Sequence, residues 1–162
     1  AKLSKIPNII AAKENTPYIF SYYTMMQTID PKDMAILTGM GEVMFMYGVP
    51  YGCPGFITEQ ANFAPERAYL IYETGITGDL GKLAELVDAL APYDDFINKM
   101  EAKHGPGTGI AGPEGYMALG VAHAAMDIVG LRGGEVRLPL LSLNDEEKAE
   151  LKDVLRTQGV IK

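Results

Sequence analysis

Lys13 is the residue of this chain whose type and position point most directly to chemistry. It ends a short apolar run, NIIAA at residues 8–12, and the segment lies between Pro7 and Pro17. A short apolar run bounded by turn residues is typical of a buried strand. We therefore predict a strand over residues 8–13 with Lys13 at its carboxyl end.

A lysine in this position is a candidate nucleophile. Ligands bind α/β sheets at the carboxyl ends of the strands, and apolar surroundings there disfavour the charged ammonium group. The neutral amine condenses with a keto group to form an imine, which withdraws electrons from an adjacent bond when it is protonated. Lysines at strand ends are also commonly solvated and inert, so this segment alone leaves both interpretations open.

The composition is that of an ordinary folded domain. The chain has 162 residues, of which 48% are hydrophobic, enough for a core of its own. The formal net charge is −7, and the sequence contains no basic run. Nucleic acids and anionic membrane surfaces call for clustered Lys and Arg, so we expect neither as a partner.

The sequence favours a cytoplasmic protein without a metal ion. It contains no apolar stretch of about 20 residues, the length of a membrane span. Cys53 is the single cysteine and cannot form an internal disulfide. His104 and His123 lie far apart, and no Cys/His or Asp/Glu cluster has the spacing of metal ligands. We therefore expect no metal ion, and imine chemistry needs no organic cofactor.

The first half of the chain alternates between strand-like and helix-like segments. Alternation of this kind is typical of parallel βαβ units. The predicted strands cover residues 8–13, 34–38 and 55–58, separated by a helix over 18–29 and by a short helix that ends at Gly48.

From residue 64 onward the pattern is helical. We predict helices over residues 64–74, 78–90 and 116–129, a kink or restart at Pro92, a loop over 105–115, and a last helix after Asn144. Asn144 and Glu147 have the spacing of a capping box, and Gly159 suits the end of that helix. The change of pattern suggests two parts, residues 1–77 and 78–162.

Four motifs, in order along the chain, resemble one enzyme superfamily. They are KIPNIIAAKE at residues 5–14, LTGMGE at 37–42, GCPGFITEQANFAP at 52–65 and GLRGGEVRLPL at 130–140. Together they resemble the C-terminal half of the dihydrodipicolinate synthase and N-acetylneuraminate lyase superfamily, the class I, Schiff-base-forming (β/α)8-barrel lyases. Each motif alone is weak, but the ordered set covers essentially the whole chain.

The resemblance implies an α/β fold, the C-terminal part of a (β/α)8 TIM barrel followed by a helical domain. Residues 1–77 would form the last three βα units, and residues 78–162 the C-terminal helical domain. Lys13 would be the imine-forming lysine of the sixth barrel strand. The resemblance also implies a homo-oligomer, and specifically a homotetramer.

The same resemblance places candidate substrate contacts at the ends of the other two strands. Glu42 follows Gly41, where the sialic-acid-lyase branch has an Asp-Glu pair that binds substrate hydroxyls; a carboxylate favoured by the start of a helix is the alternative. Glu59 stands where relatives more often have a small residue, and it could transfer a proton or be a solvated strand-end residue. The candidate substrate-binding residues are Thr38, Gly39, Glu42, Ile57, Thr58 and Glu59.

Two elements that this superfamily uses are not in the sequence. The Gly-x-Thr-Thr-type loop that holds the substrate carboxylate, and the tyrosine that relays protons, belong to earlier strands, and such a barrel needs about 250 residues. We therefore expect another half upstream or on a second polypeptide, and we expect this chain to be inactive by itself.

The resemblance implies a lyase that acts on a 2-oxo acid such as pyruvate. Gly41 replaces the Asp of the substrate-binding pair and Glu59 is unusual for a synthase, so we favour an aldolase or dehydratase of a 2-keto-3-deoxy sugar acid. Dihydrodipicolinate synthase is one alternative. A non-catalytic structural or regulatory relative is another, although an intact Lys13 argues against it.

Overall fold

In a computed structural model, residues 2–104 and 117–162 are described, and the chain forms two compact units. The first consists of Ala1–Thr58 with Glu66–Val87, and the second of Glu59–Pro65 with Asp88–Lys162. The predicted loop over residues 105–115 lies outside the described residues. The expected division into residues 1–77 and 78–162 stays a prediction about the domains of the whole protein.

The first unit is built on two parallel strands that are joined through a helix. β1 (Ala11–Glu14) pairs with β2 (Ala35–Thr38), and α1 (Ile19–Thr28) lies between them in sequence. The register places Lys13 opposite Leu37. Parallel strands need a crossover of this kind, and the predicted βαβ unit is confirmed.

Helices cover one face of β2. Both α1 and α2 (Gly41–Gly48) pack against this strand. Ile36 and Thr38 are buried, whereas the two residues that alternate with them are half-buried, as expected when one face of a sheet is covered. Tyr22 on α1 donates a hydrogen bond from its hydroxyl to the Ile36 carbonyl oxygen at 3.0 Å, which fixes the helix on the strand.

The first predicted strand is shifted and exposed. It begins at Ala11 rather than at residue 8, because the Ile9 N–H donates to the Ile6 carbonyl oxygen in a turn. Ile10 is 75% exposed, and Lys13 is exposed as well. The prediction of a buried strand is therefore wrong for the described residues, within which β1 pairs with β2 alone.

The third predicted strand, residues 55–58, is reduced to a single bridge. Phe56 pairs with Thr38 in the parallel direction, and two hydrogen bonds of 3.2 and 2.9 Å join the segment to the Thr38 backbone. Pro54 on one side has no N–H to donate, and on the other side the chain turns into a 3₁₀ helix over Gln60–Asn62. The segment adjoins β2, but it is too short for a regular ladder.

Two further helices belong almost entirely to the first unit, α3 (Pro65–Thr77) and α4 (Leu80–Asp88). α3 begins with a proline followed by a glutamate, both favourable in a first turn, and the helix predicted over residues 64–74 is confirmed. α3 approaches α2 closely at Gly75, where a Cβ would crowd the ring of Phe45.

The single helix predicted over residues 78–90 ends earlier than expected. α4 stops at Asp88, and α5 (Ala91–His104) starts three residues later with Pro92 in its first turn. A proline is tolerated there because the first N–H groups of a helix have no partner within it. The expected restart at Pro92 is confirmed.

The second unit is a bundle of three helices around one apolar core. α5, α6 (Met117–Ile128) and α7 (Asp145–Thr157) pack against one another pairwise. Gly120 lets α6 approach the backbone near Leu141, because a Cβ there would overlap the Leu141 carbonyl oxygen. No helix within the described residues is long and apolar enough to cross a membrane. The buried core residues are Phe63, Ala64, Tyr93, Phe96, Met100, Met117, Val121, Ala124, Ala125, Leu143, Leu151 and Leu155.

The start of α7 has the predicted capping box. The Glu147 N–H donates to the Asn144 side-chain oxygen at 2.9 Å, and the Asn144 N–H donates to Oε2 of Glu147 at 2.9 Å. Gly159, just beyond the helix, has a φ of 69°, a conformation that glycine adopts readily. These three sequence assignments are confirmed at the level of single residues.

Glu147 also binds the end of α5. Its Oε1 accepts a hydrogen bond from Lys103 Nζ at 2.7 Å and lies 2.7 Å from His104 Nε2. Burial by itself would raise the pKa of this carboxyl group, but the bonds from Lys103, the Asn144 N–H and His104 outweigh it and lower the pKa to about 2. The ionised carboxylate therefore joins two helices of the bundle.

We expect the stability of the protein to fall as pH drops through the range that Glu147 governs. Its pKa is lower in the folded state, at about 2, than the ordinary value of 4.5, so its contribution is complete above pH 4.5 and is lost as pH falls toward 2. Glu147→Gln should lower the free energy of unfolding at pH 7 by roughly 1 kcal/mol, the difference between hydrogen bonds to charged and neutral groups. Denaturant titrations across this pH range measure both effects.

Glu146→Gln is the matched control, because Glu146 lies in the same first turn and is exposed. Its pH dependence should equal that of the wild-type protein. An equally steep loss of stability between pH 4.5 and 2 in Glu147→Gln would contradict the assignment.

Candidate active site

The candidate site lies at the carboxyl ends of β1 and β2. Lys13 and Glu14 are the last two residues of β1. One bond extends the pairing past the end of β2, because the Gly39 N–H donates to the Glu14 carbonyl oxygen at 2.7 Å. The parallel register therefore places Lys13 and Gly39 side by side, on adjacent segments at the carboxyl end of the sheet.

The side chain of Lys13 passes over Gly39. A Cβ at position 39 would overlap Cε and Cγ of Lys13 and the side-chain oxygen of Asn15. The structure thus brings together two residues that the sequence assigned to different roles, the nucleophile and a substrate contact. Sequence analysis gave Asn15 no role, although an amide directly after a strand is a recognisable candidate for a site on a loop.

Thr38 shapes the loop between β2 and α2. It is fully buried, and its hydroxyl oxygen accepts a hydrogen bond from the Met40 N–H at 3.1 Å. Because side chains alternate along a strand, Thr38 lies on the opposite face from Leu37. A direct contact between Thr38 and a substrate stays a prediction, whereas its role in fixing the turn is visible in the structure.

Glu42 and Thr58, both predicted to contact substrate, are joined by a hydrogen bond. The Thr58 hydroxyl donates to Oε1 of Glu42 at 2.6 Å. Glu42 lies in the first turn of α2 and is only 7% exposed, and Gly41 before it has a φ of 67°. A residue with a side chain rarely adopts that φ, so the chain enters the helix through a glycine.

Burial controls the charge of Glu42. It raises the pKa of the carboxyl group above its ordinary value, while the hydrogen bonds from Thr58 and from the Glu42 backbone N–H lower it by less. The ionised form at the start of a helix is favoured by the helix dipole. Glu42 and Thr58 therefore form a buried acid–hydroxyl pair whose proton occupancy depends on pH.

Ile57 and Glu59 flank Thr58 in sequence and differ in their surroundings. Ile57 is 45% exposed, and its N–H donates to the Thr38 carbonyl oxygen at 2.9 Å. Glu59 belongs to the second unit, where its Oε1 accepts a hydrogen bond from the Tyr93 hydroxyl at 3.1 Å. The Glu59 carboxylate is therefore held by a side chain of the same chain, and a role in proton transfer stays a prediction.

Tyr93 is a residue that sequence analysis missed. It lies in the first turn of α5, is 1% exposed, and packs against Phe63 with ring centroids 5.3 Å apart. Its spacing of three and seven from Phe96 and Met100 is that of a core-facing helix stripe. A tyrosine in such a stripe needs a partner for its hydroxyl, and this signal could have marked Tyr93 as a buried donor without naming its acceptor.

No group of three His, Cys, Asp or Glu side chains suited to hold a metal ion occurs within residues 2–104 and 117–162. Cys53 is buried, and its Sγ lies 3.2 Å from the Gly55 carbonyl oxygen and 2.7 Å from the Tyr22 hydroxyl. The polar groups at the strand ends are an amine, an amide, a carboxyl group and a hydroxyl, a set that suits covalent and acid–base chemistry.

Parallel strands joined through helices, with candidate residues at the carboxyl ends of the strands, define an α/β protein of the βα-repeat class. A sequence profile of the dihydrodipicolinate synthetase family matches residues 1–107. The chain belongs to this family, as the four motifs suggested.

Curated relatives include enzymes of two kinds. A 4-hydroxy-tetrahydrodipicolinate synthase of Methanothrix thermoacetophila is 28% identical over 155 residues, which are 96% of this chain and 47% of that protein. A probable 5-dehydro-4-deoxyglucarate dehydratase of Leptothrix cholodnii is 28% identical over 156 residues, 94% of this chain and 46% of that protein. The chain thus spans about half the length of these relatives.

Solved structures agree with the fold. A dihydrodipicolinate synthase of Oceanobacillus iheyensis superimposes with a TM-score of 0.76 at 20% identity, covering 99% of this chain and 49% of that one. A dihydrodipicolinate synthase of Acinetobacter baumannii, complexed with pyruvate, superimposes with a TM-score of 0.72 at 22% identity, covering 99% of this chain and 49% of that one. The N-acetylneuraminate lyase of Proteus mirabilis superimposes with a TM-score of 0.73 at 19% identity, covering 96% of this chain and 47% of that one. These enzymes are TIM barrels, and the chain matches about half of such a structure.

We expect substitutions of Glu42 and Thr58 to have non-additive effects on the free energy of unfolding. Thr58→Val should lower the free energy of unfolding by about 1.5–3 kcal/mol, because it removes the side-chain donor of a buried carboxyl group. In a Glu42→Gln background the same change should cost only about 0.5–1.5 kcal/mol, the contribution of a neutral hydrogen bond. Denaturant unfolding of the four proteins at pH 7 completes the double-mutant cycle.

Thr28→Val serves as the control, since the Thr28 hydroxyl is exposed and bonds a backbone carbonyl oxygen. It should change the free energy of unfolding by less than about 0.5 kcal/mol. Equal costs of Thr58→Val in both backgrounds would show that the pair is not coupled.

Proposed function

We propose that this chain is part of a Schiff-base-forming lyase that acts on a 2-oxo acid, with Lys13 as the nucleophile. The observation that carries the proposal is the position of Lys13, at the carboxyl end of a parallel strand with its alkyl chain laid over Gly39. Family membership supports it, because its relatives include a synthase, a lyase and a probable dehydratase. The pyruvate bound to the Acinetobacter baumannii synthase supports pyruvate or a related 2-oxo acid as the substrate.

The proposed chemistry begins at the Lys13 amine. Its neutral form adds to the keto carbon, and uptake of a proton with loss of one water leaves a protonated imine. The imine nitrogen then accepts the electron pair of the neighbouring bond that breaks, either a carbon–carbon bond in aldol cleavage or a carbon–hydrogen bond before dehydration. No metal ion or organic cofactor takes part in this scheme.

Glu42, Thr58 and Glu59 are the proposed determinants of the substrate. The Glu42–Thr58 pair offers a carboxyl group and a hydroxyl that can recognise hydroxyl groups beyond the keto carbon. Glu59 would donate a proton to a departing hydroxyl. Both assignments favour an aldolase or dehydratase of a 2-keto-3-deoxy sugar acid, and the similarity to a dehydratase supports that class.

Dihydrodipicolinate synthase activity is the second candidate. It is favoured by the family match and by the 4-hydroxy-tetrahydrodipicolinate synthases among the relatives. In that case Gly39 and Ile57 would line the keto-acid end of the site, as they would in the lyase, and Thr38 would hold the turn that contains Gly39. We further propose a homotetramer, by resemblance to the superfamily. In the synthase, the pyruvate imine would lose a proton from its methyl carbon, and the resulting enamine would form a bond to an aldehyde carbon. Formation of this bond, rather than release of pyruvate, would identify the synthase.

We expect pyruvate to form a reducible adduct at Lys13 in the full-length protein. Borohydride reduces the imine to a stable secondary amine, and peptide mass mapping should place the added mass on Lys13. Lys13→Arg keeps the positive charge but cannot form the imine, so it should show no adduct and a loss of turnover by several orders of magnitude.

Lys5→Arg is the matched control, because Lys5 is an exposed lysine that lies 3.8 Å from Asp33. It should react as the wild-type protein does. A stable adduct on any other lysine, or full activity of Lys13→Arg, would disprove the proposed nucleophile.

We expect Glu59→Gln to slow the elimination step alone. Turnover of 2-keto-3-deoxy sugar acids by the full-length protein should fall by about 10² to 10⁴, the usual contribution of a general acid, while the pyruvate adduct at Lys13 still forms at the wild-type rate. Glu66→Gln, at an exposed glutamate in the first turn of α3, is the control. Unchanged turnover in Glu59→Gln would remove the main support for a dehydratase.

A further inference from the structure

We propose that Gly39 is a positioning residue for Lys13. The space left by its missing side chain is the path along which the Lys13 alkyl chain crosses the end of β2. The inference rests on the proposed function of Lys13 and deepens it, since it assigns to another residue the task of directing the amine. It adds a role for Gly39 that differs from contact with the substrate.

The sheet places Gly39 on the same face as Lys13. Lys13 pairs with Leu37 in the parallel register. Side chains alternate along a strand, so position 39, two residues after Leu37, belongs to the face that Leu37 and Lys13 share. The 2.7 Å bond from the Gly39 N–H to the Glu14 carbonyl oxygen holds the Gly39 backbone there. The Gly39 backbone therefore lies at a fixed position beneath the Lys13 side chain.

Space, rather than backbone conformation, accounts for a glycine at this position. The φ of Gly39 does not lie in the left-handed region, so residues with a side chain could adopt the same backbone. Gly41, two residues later, has the opposite character, with a φ of 67° and no atom within 4 Å of an added Cβ. An added Cβ at Gly39 would instead overlap Cε and Cγ of Lys13 and the Asn15 side-chain oxygen.

The atoms in the way can move, and this determines what a side chain at position 39 would do. Cε of Lys13 and the oxygen of Asn15 belong to the outer parts of flexible side chains, and a rotation about χ1 would also move Cγ of Lys13, which is 2.9 Å from the added Cβ. All three atoms can therefore shift while the backbone stays in place. The fold would persist, but the amine would leave its path. A displacement of about 1 Å at a reacting group can cost roughly 10²-fold in rate.

The test is the rate of imine formation in the full-length Gly39→Ala protein. Pyruvate is mixed with the protein, the imine is trapped with borohydride after increasing delays, and the fraction of modified Lys13 peptide is followed by mass spectrometry. The rate constant at saturating pyruvate should fall by roughly 10²-fold. The final amount of adduct and the melting temperature should match the wild-type values, because the amine remains present in a folded protein.

Gly81→Ala is the control for adding a methyl group. Gly81 lies in α4, and a Cβ there would meet only an Asp79 carboxylate oxygen at 3.8 Å. Its rate of imine formation should equal that of the wild-type protein. Asn15→Ala, alone and combined with Gly39→Ala, separates the two overlaps, and the double variant should stay slow because the overlap with Lys13 remains.

Three results would overturn the inference while leaving the proposed nucleophile intact. They are a wild-type rate in Gly39→Ala, recovery of the wild-type rate in the double variant, and loss of cooperative melting in Gly39→Ala, which would make Gly39 a requirement of the fold. Absence of any adduct at Lys13 in the wild-type protein would instead disprove the proposed function itself.

Discussion

The hydrogen bond from the Gly39 N–H to the Glu14 carbonyl oxygen, 2.7 Å long, is the contact on which the candidate site depends. It continues the parallel ladder past the end of β2 and so fixes where the loop to α2 begins. Three features depend on where this loop begins. They are the passage of the Lys13 side chain over Gly39, the buried turn at Thr38, and the start of α2 at Gly41. A shift of one residue in the register would place Lys13 on the helix-covered face.

The site combines an exposed amine with a buried carboxyl group, and their environments differ for a physical reason. β1 has one neighbouring strand within the described residues, so its outer edge and the Lys13 side chain face solvent. Glu42 lies in the first turn of α2, close to the covered face of β2, and burial raises its pKa. The Thr58 hydroxyl compensates part of this cost through a 2.6 Å bond. A carboxyl group in such surroundings keeps its proton to a higher pH than an exposed glutamate does.

Features set by neighbouring residues in sequence could be predicted, and features set by distant partners could not. The capping box at Asn144 and the helix restart at Pro92 depend on one turn of chain, and both were found as expected. The segment at residues 55–58 has a strand-like sequence, yet a regular strand needs a run of backbone bonds to a neighbour, and this segment makes only a bridge to Thr38. The pairs Glu42–Thr58 and Glu59–Tyr93 are separated by 16 and 34 residues, so periodicity contains no signal that joins them.

The contact between residues 13 and 39 has a consequence for the evolution of the family. A side chain at position 39 would displace atoms of Lys13 and Asn15, whereas the φ of the backbone there does not call for glycine. Selection for glycine at position 39 would then last only as long as the Lys13 amine has to be held in position for catalysis. Lineages that have abandoned imine chemistry should therefore accumulate alanine or serine at position 39. The residue at position 39 would then indicate whether a relative still uses its lysine as a nucleophile.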